Sequence, residues 1–121
     1  MRPDLKALRH LADLDQLLES STHRPVLLFK HSYACGTSAE ALDELIAHLD
    51  EERRPDTEYA VVTVQTHRDI SNAVAARLGV RHETPQALLI RNGRVVWSAS
   101  HFRVTADAVQ KALDKYVEAS L

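Results

Sequence analysis

The single cysteine of this 121-residue chain, Cys35, is the residue best placed to do chemistry, because it lies between a predicted strand and a predicted helix. The apolar run Val26–Phe29 predicts the strand, and the small or polar residues Gly36, Thr37 and Ser38 open the helical pattern. Free backbone N–H groups at a helix N-terminus stabilise a thiolate and can lower a cysteine pKa from about 8.5 to between about 3.5 and 7.5. We therefore predict that Cys35 is a reactive thiol rather than a small buried residue.

The residue three positions after Cys35 decides which thiol chemistry is available. Ser38 stands there and the chain has no second cysteine, so no intramolecular disulfide can form. A mixed disulfide on Cys35 must then be resolved by an external thiol. The Ser38 hydroxyl is expected to hydrogen-bond near the sulfur.

Two cationic or titratable residues, Lys30 and His31, end the strand before Cys35. Lys30 either binds a carboxylate of a small thiol or is a solvated lysine at the strand end. Thr84-Pro85 opens a later strand, where a proline is harmless because no N–H is needed. If this peptide bond is cis, it offers the Thr84 backbone to an extended ligand.

Composition excludes several other classes of function. The net charge of −2 comes from 15 basic and 17 acidic residues without a block of one sign, which argues against a nucleic-acid or membrane-surface partner. No stretch resembles a membrane span or a secretory signal, and one cysteine suits the reducing cytoplasm. The seven histidines lie far apart in sequence, so we predict no metal site.

The remaining pattern predicts alternating strands and helices after Cys35. The predicted elements are a helix through Leu42–Leu49 that ends before Pro55, a strand at Tyr59–Val64, a helix capped by Asp69 and ended by Gly79, a hairpin turning at Asn92-Gly93, and a helix capped by Thr105. This order predicts one α/β domain over residues 1–121, with a central mixed sheet flanked by helices.

The first twenty residues allow two interpretations. Leucines three or four apart from Leu5 to Leu18 fit one amphipathic helix. Asp13 with Gln16 instead fits a capping pair that starts a helix at Leu14 and leaves Leu5–Leu11 as a separate element, for example a strand. The sequence leaves both open.

Three phrases give the chain a resemblance that covers nearly its whole length: Pro25–Ser32 before the cysteine, Thr84–Ala87 and Arg91–His101. With a cysteine between strand and helix and a Thr-Pro dipeptide before the hairpin, the pattern resembles the thioredoxin fold. Within that fold it most resembles the monothiol bacilliredoxins of the bacillithiol system.

The resemblance implies a thioredoxin-like fold with an extra strand at about Lys6–His10, a cis Pro85 facing the redox residue Cys35, and His31, His82 and His101 nearby. It implies removal of bacillithiol, or a similar small thiol, from S-thiolated proteins, with that thiol as co-substrate and no bound cofactor. Besides Cys35, the expected substrate-binding residues are Lys30, His31, Tyr33, Gly36, Thr37, Ser38, Thr84 and Pro85.

One motif departs from that family. Cys35-Gly36-Thr37-Ser38 resembles the Cys-Gly-Phe-Ser of monothiol glutaredoxins, which hold a [2Fe–2S] cluster between two subunits. The alternatives are therefore an iron–sulfur carrier of that type and a thioredoxin-fold binding module with an inert Cys35. The sequence does not fix the oligomeric state.

Overall fold

Five strands form one mixed sheet between two layers of helices in the computed structural model, which describes residues 2–117. None of the helices within those residues is both long and apolar enough to cross a membrane. The elements are β1 (Lys6–Ala7), α1 (Leu11–Ser20), β2 (Val26–His31), α2 (Gly36–Glu52), β3 (Glu58–Thr63), α3 (Arg68–Leu78), β4 (Gln86–Arg91), β5 (Arg94–Ser100), a 3₁₀ turn (His101–Arg103) and α4 (Ala106–Val117).

The strands lie in the order β1-β3-β2-β4-β5, so β2 is central. It pairs in parallel with β3 and antiparallel with β4, which confirms the predicted mixed sheet. At the end of β2 the Cα atoms of Lys30 and Gln86 are partners. The residues just before β4, including Thr84-Pro85, therefore lie at the same end of the sheet as the loop that carries Cys35.

Alternate residues of β2 supply two separate hydrophobic cores, as the period of two in a strand requires. Leu27 and Phe29 face one core with α2 and α4, whereas Val26 and Leu28 face the other with α1 and α3. Because both faces of β2 are buried, its carboxyl end and the loop after it are held from both sides of the sheet.

The N-terminal region follows neither sequence interpretation completely. The continuous helix is wrong, because β1 pairs with β3 and a separate helix begins at Leu11. Asp13 does cap that helix, but as its third residue: its carboxylate accepts from the N–H groups of Arg9 and His10 at 2.9 and 3.0 Å. The helix thus starts three residues before the predicted Leu14, and the strand is shorter than the implied Lys6–His10.

Local signals elsewhere predicted the element ends well. Gly79 ends α3 in the left-handed conformation, and Asn92 and Gly93 both have positive φ, 54° and 72°, as a type I′ turn needs. The Thr105 hydroxyl accepts from the N–H of Ala108 at 3.1 Å and caps α4. The Asp69 cap is wrong by two residues, because His67 is the N-cap of α3 and Asp69 lies in its first turn.

Candidate active site

Cys35 is the N-cap residue of α2, at the point where the loop after β2 turns into the helix. Its backbone is extended (φ −122°, ψ 122°), and its carbonyl accepts the first helical hydrogen bond, from the N–H of Ala39 at 3.1 Å. The side chain is half-buried. This position directs the unpaired N–H groups of the first helical turn toward the cysteine while leaving the sulfur accessible.

The surroundings of the sulfur lower the pKa of the Cys35 thiol below its ordinary value. The nearby backbone N–H groups of Ser38 and Thr37 contribute most to this lowering, the Thr37 hydroxyl adds to it, and partial desolvation opposes it, although no side chain-to-backbone cap hydrogen bond forms at Cys35. Donors aimed at the sulfur favour its anionic form. Since the thiolate is the nucleophile, the chain places its one thiol where it is activated.

Ser38 serves this site through its backbone, and its side chain points elsewhere. The buried hydroxyl accepts from the Ser32 N–H at 2.9 Å and lies 2.8 Å from His31 Nδ1. Since Oγ already accepts one hydrogen bond, its own hydrogen suits the Nδ1 lone pair and leaves the proton of a neutral His31 on Nε2. The expectation of a hydroxyl near the sulfur is replaced by a hydroxyl that ties α2 to the end of β2.

Gln65 extends this tie to a third element and was missed by the sequence analysis. It follows β3, and its Nε2 donates to the Ser32 hydroxyl at 2.5 Å. Because β2 and β3 are parallel neighbours, residues after their carboxyl ends meet at one edge of the sheet. A polar residue just after a buried central strand was the signal that could have revealed it.

The Thr84–Pro85 peptide bond is cis, and the segment Arg81–Pro85, here called the proline loop, is held by several hydrogen bonds. The Pro85 carbonyl accepts from the His101 N–H at 2.9 Å. The Glu83 carboxylate accepts from the Ser100 hydroxyl at 2.8 Å, and the Arg81 carbonyl accepts from Gln86 Nε2 at 3.1 Å. The Thr84 backbone, by contrast, forms no hydrogen bond with any described residue, so its N–H and carbonyl remain available to a ligand.

Lys30 is buried, which neither interpretation of its sequence position predicted. Its side chain is 0% exposed, on the face of the sheet toward α3. Its Nζ lies 2.7 Å from His82 Nδ1 and 3.5 Å from the Ser71 carbonyl. Burial lowers the pKa of Lys30 to about 8. Neither a solvated lysine nor one that meets a ligand at the surface agrees with this burial.

The three histidines that the resemblance groups near the site reach different parts of it. His31 bonds Ser38 and stacks on Phe29, with ring centroids 6.0 Å apart. The His82 side chain meets Lys30, and the backbone of His101 holds Pro85. His31 therefore supports the start of α2 from the end of β2, and His82 and His101 support the proline loop.

Two aromatic side chains are exposed, one in the loop that carries Cys35 and one in the 3₁₀ turn. Tyr33, two residues before it, is 66% exposed, and Phe102 in the 3₁₀ turn is 77% exposed. A groove of about 400 Å³ runs between the first turns of α2 and this 3₁₀ turn, with Thr37 and Phe102 in its walls. Gly36 is exposed beside the thiol. Exposed aromatic groups at the rim of a groove are typical of surfaces that bind another molecule.

The sheet order, the cis proline before β4 and one activated cysteine at the start of α2 together define a thioredoxin-fold protein with a single redox-type thiol. The sequence matches the description monothiol bacilliredoxin BrxC over residues 6–109. The chain belongs to the monothiol bacilliredoxin family, and a redox thiol function follows from that membership.

Solved structures agree with the fold. A protein described as having a thioredoxin fold is similar at 30% identity and a TM-score of 0.79, with 90% of this chain and 93% of that one covered. Fasciola hepatica thioredoxin matches at 21% identity and a TM-score of 0.71, covering 92% and 98% of the two chains. A poplar thioredoxin h mutant matches at 17% identity and 0.77, covering 96% and 84%. The last two support the fold alone.

Proposed function

We propose that this protein is a monothiol disulfide oxidoreductase that removes bacillithiol, or a similar small thiol, from protein mixed disulfides through Cys35. The observation that carries the proposal is a half-buried thiol whose pKa is lowered by helix N–H donors and that has no second cysteine in the chain. Membership of the monothiol bacilliredoxin family supports a redox thiol function, and bacillithiol is the small thiol that the sequence resemblance implies. One unpaired cysteine suits a reducing cytoplasm, where we expect the reaction to occur.

The reaction consists of two thiol–disulfide exchanges. In the first, the Cys35 thiolate attacks the bacillithiol sulfur of the mixed disulfide, a Cys35–bacillithiol disulfide forms, and the target leaves as a thiolate that takes a proton from water. In the second, the thiolate of another bacillithiol attacks the bacillithiol sulfur on Cys35. That step regenerates the Cys35 thiolate and releases oxidised bacillithiol, so electrons and atoms balance.

The exposed residues around Cys35 suit the two parts of such a substrate. We assign the small thiol to the end of the sheet at which both Cys35 and the Thr84 backbone lie, where the N–H and carbonyl of Thr84 would pair with its amide groups. The target protein would lie across Tyr33, Gly36 and the groove beside Phe102. His31, Ser38 and Pro85 would shape this surface from beneath.

The proposal is tested with a purified S-bacillithiolated protein of known mass. Incubation with the wild-type protein should free the target and add the mass of bacillithiol to Cys35, whereas Cys35→Ser should do neither. Parallel substrates carrying glutathione or coenzyme A would identify the preferred small thiol. A target that stays thiolated, under conditions in which another bacilliredoxin releases it, would contradict the proposal.

The two alternatives give different outcomes with the same sample. An iron–sulfur carrier would show visible absorbance after anaerobic reconstitution with a small thiol, and Cys35→Ser would abolish it. Each chain offers only one thiolate to a cluster that needs four ligands, so this alternative requires a second copy and two small thiols. A binding module would show neither absorbance nor transfer.

A further inference from the structure

Lys30 is a buried charged side chain that the proposed reaction does not use. Its side chain is 0% exposed at the end of β2, and no carboxylate within residues 2–117 forms an ion pair with it. A buried ammonium without a counter-ion is unfavourable, because desolvation penalises the charge. The site would accept an apolar side chain, since Leu28 on the same face of β2 packs in the hydrophobic core with α3.

The contacts of Lys30 point to the proline loop. Its Nζ donates to His82 Nδ1 at 2.7 Å and lies 3.5 Å from the Ser71 carbonyl of α3. His82 is two residues before Thr84, and its side chain is otherwise at the surface. The other hydrogen bonds of the loop within residues 2–117 come from Gln86 of β4 to the Arg81 carbonyl, from Ser100 of β5 to the Glu83 carboxylate, and from His101 of the 3₁₀ turn to the Pro85 carbonyl. Through Lys30, the His82 side chain is the part of the loop that is tied to β2 and to the α3 carbonyl of Ser71.

We propose that Lys30 is a positioning residue: it acts through His82 to hold the proline loop so that the Thr84 backbone faces the substrate of Cys35. This inference rests on the proposed function. Lys30 itself touches no substrate, which distinguishes this role from the carboxylate-binding role expected from sequence. The bond requires an unprotonated His82 Nδ1, because a protonated imidazole has no acceptor.

The same requirement makes the position of the loop depend on pH. The charged groups that act on His82 are Lys30 of β2, Arg68 of α3 and the adjacent Glu83. Burial and then the two cations keep the pKa of His82 below its ordinary 6.5, although Glu83 opposes them. When the pH falls below this lowered pKa, His82 takes a proton, the two cations Lys30 and His82 face each other, and their hydrogen bond breaks. At neutral pH the bond is intact. We therefore expect KM for the mixed disulfide to rise as the solution is acidified.

The experiment compares the wild type with Lys30→Met, His82→Ala and the double variant, and with Lys6→Met as the control for loss of an exposed lysine. Kinetics with a bacillithiolated peptide are measured between pH 5 and 8. At neutral pH each single variant should raise KM about two- to tenfold, as expected for loss of one hydrogen bond, with kcat unchanged. The double variant should be no worse than either single variant, and Lys6→Met should match the wild type.

Two further readouts separate positioning from simple support of the fold. Lys30→Met should be as stable to urea as the wild type or more so, because an apolar side chain replaces a buried charge. The backbone amide resonances of residues 81–84 should move with pH below 6.5 in the wild type and lose that response in both single variants. An unchanged KM in Lys30→Met, additive effects in the double variant, or an unaltered amide response would overturn the inference.

The design distinguishes this inference from the proposed function. A wild-type protein that does not turn over the peptide refutes the function, and the amide resonances still test the link. If Lys30→Met fails to fold, His82→Ala removes the same bond from the exposed end. In that case an unchanged loop response in His82→Ala would refute the role of Lys30.

Discussion

At the scale of single residues, the reactivity of Cys35 depends on the hydrogen-bond donors near its sulfur. The helix supplies two backbone donors to the sulfur, and Thr37 adds a hydroxyl. Ser38 occupies the position in which a second cysteine would allow an internal disulfide, and its hydroxyl is engaged with Ser32 and His31. Thr37 and Ser38 therefore activate the thiol, and Ser38 also keeps its chemistry monothiol.

This arrangement predicts the pH dependence of Cys35 alkylation. The rate should follow a midpoint below the ordinary cysteine value of about 8.5, because the donors favour the thiolate. Thr37→Val should raise the midpoint but leave it below that of an unperturbed thiol, since the backbone donors of Thr37 and Ser38 remain. The control is Thr22→Val, whose hydroxyl donates to the Glu19 carbonyl at the end of α1. A midpoint of about 8.5 or higher in the wild type would contradict helix stabilisation.

At the scale of elements, the N-terminus of α4 is capped both by a neighbouring residue and by a residue of the distant helix α2. Thr105 caps α4 from within the sequence, but the first N–H of that helix, on Ala106, donates to the Glu44 carboxylate of α2 at 3.0 Å. A negative side chain at a helix N-terminus is favourable for both hydrogen bonding and the helix dipole. Glu44 thereby joins the helix that carries Cys35 to the helix behind the 3₁₀ turn.

Removing this contact should weaken the docking of the two helices. We expect Glu44→Ala to lower the free energy of unfolding by about 0.5–2 kcal/mol, the range for loss of a helix cap. Asp43→Ala is the matched control, because Asp43 is exposed one residue earlier on α2 and should change stability by less than about 0.5 kcal/mol. Urea unfolding measures both. Equal effects of the two substitutions would show that the contact with α4 contributes nothing.

Structural features that depend on neighbouring residues could be predicted from the sequence, and features that depend on distant contacts could not. Gly79, Asn92-Gly93 and Thr105 act through their own backbone preferences, so their turns and caps could be predicted from a few neighbouring residues. The two-residue strand β1 has no such preference, since it exists only by pairing with β3. The leucine spacing alone therefore also fitted a continuous helix, and the sequence did not decide between that helix and a separate strand.

In the candidate site, too, the local features were predictable and the long-range contacts were not. The position of Cys35 at a strand–helix junction was visible in the sequence, and the structure confirms that junction. The burial of Lys30 was not visible, because a lysine at a strand end is usually solvated and its contacts come from residues 41 and 52 positions away. Gln65 was missed for the same reason, at a separation of 33 positions from Ser32.

At the scale of the whole molecule, histidines whose pKa values are lowered by desolvation link the stability of the fold to pH. His48 is 1% exposed on α2, with its Nε2 2.8 Å from the Tyr59 hydroxyl of β3. Burial lowers its pKa below the ordinary 6.5, as it does for His31 and His82. The unfolded chain thus binds more protons than the folded protein between the lowered pKa values and 6.5, so the free energy of unfolding increases with pH in that interval.

We therefore expect stability to fall as the pH drops below about 6.5, before the carboxylates are protonated. The carboxylates of Asp4, Asp13 and Glu83, whose pKa values are lowered by hydrogen bonds, contribute only in more acidic solution. Urea unfolding at pH 7.5 and 5.5 measures the slope. His48→Gln, whose side-chain amide can still hydrogen-bond with the Tyr59 hydroxyl, should reduce it, and His23→Gln, at an exposed loop position, should not. An identical slope in His48→Gln would refute this origin of the pH dependence.

The single cysteine also determines how long a disulfide on Cys35 persists. No group within the chain can break such a disulfide, because Ser38 is not a thiol and the sequence has no second cysteine. Its lifetime is then inversely proportional to the concentration of whatever thiol arrives from solution. When such thiols are scarce the loaded form accumulates, and the fraction of protein in that form becomes a gauge of the surrounding thiol pool.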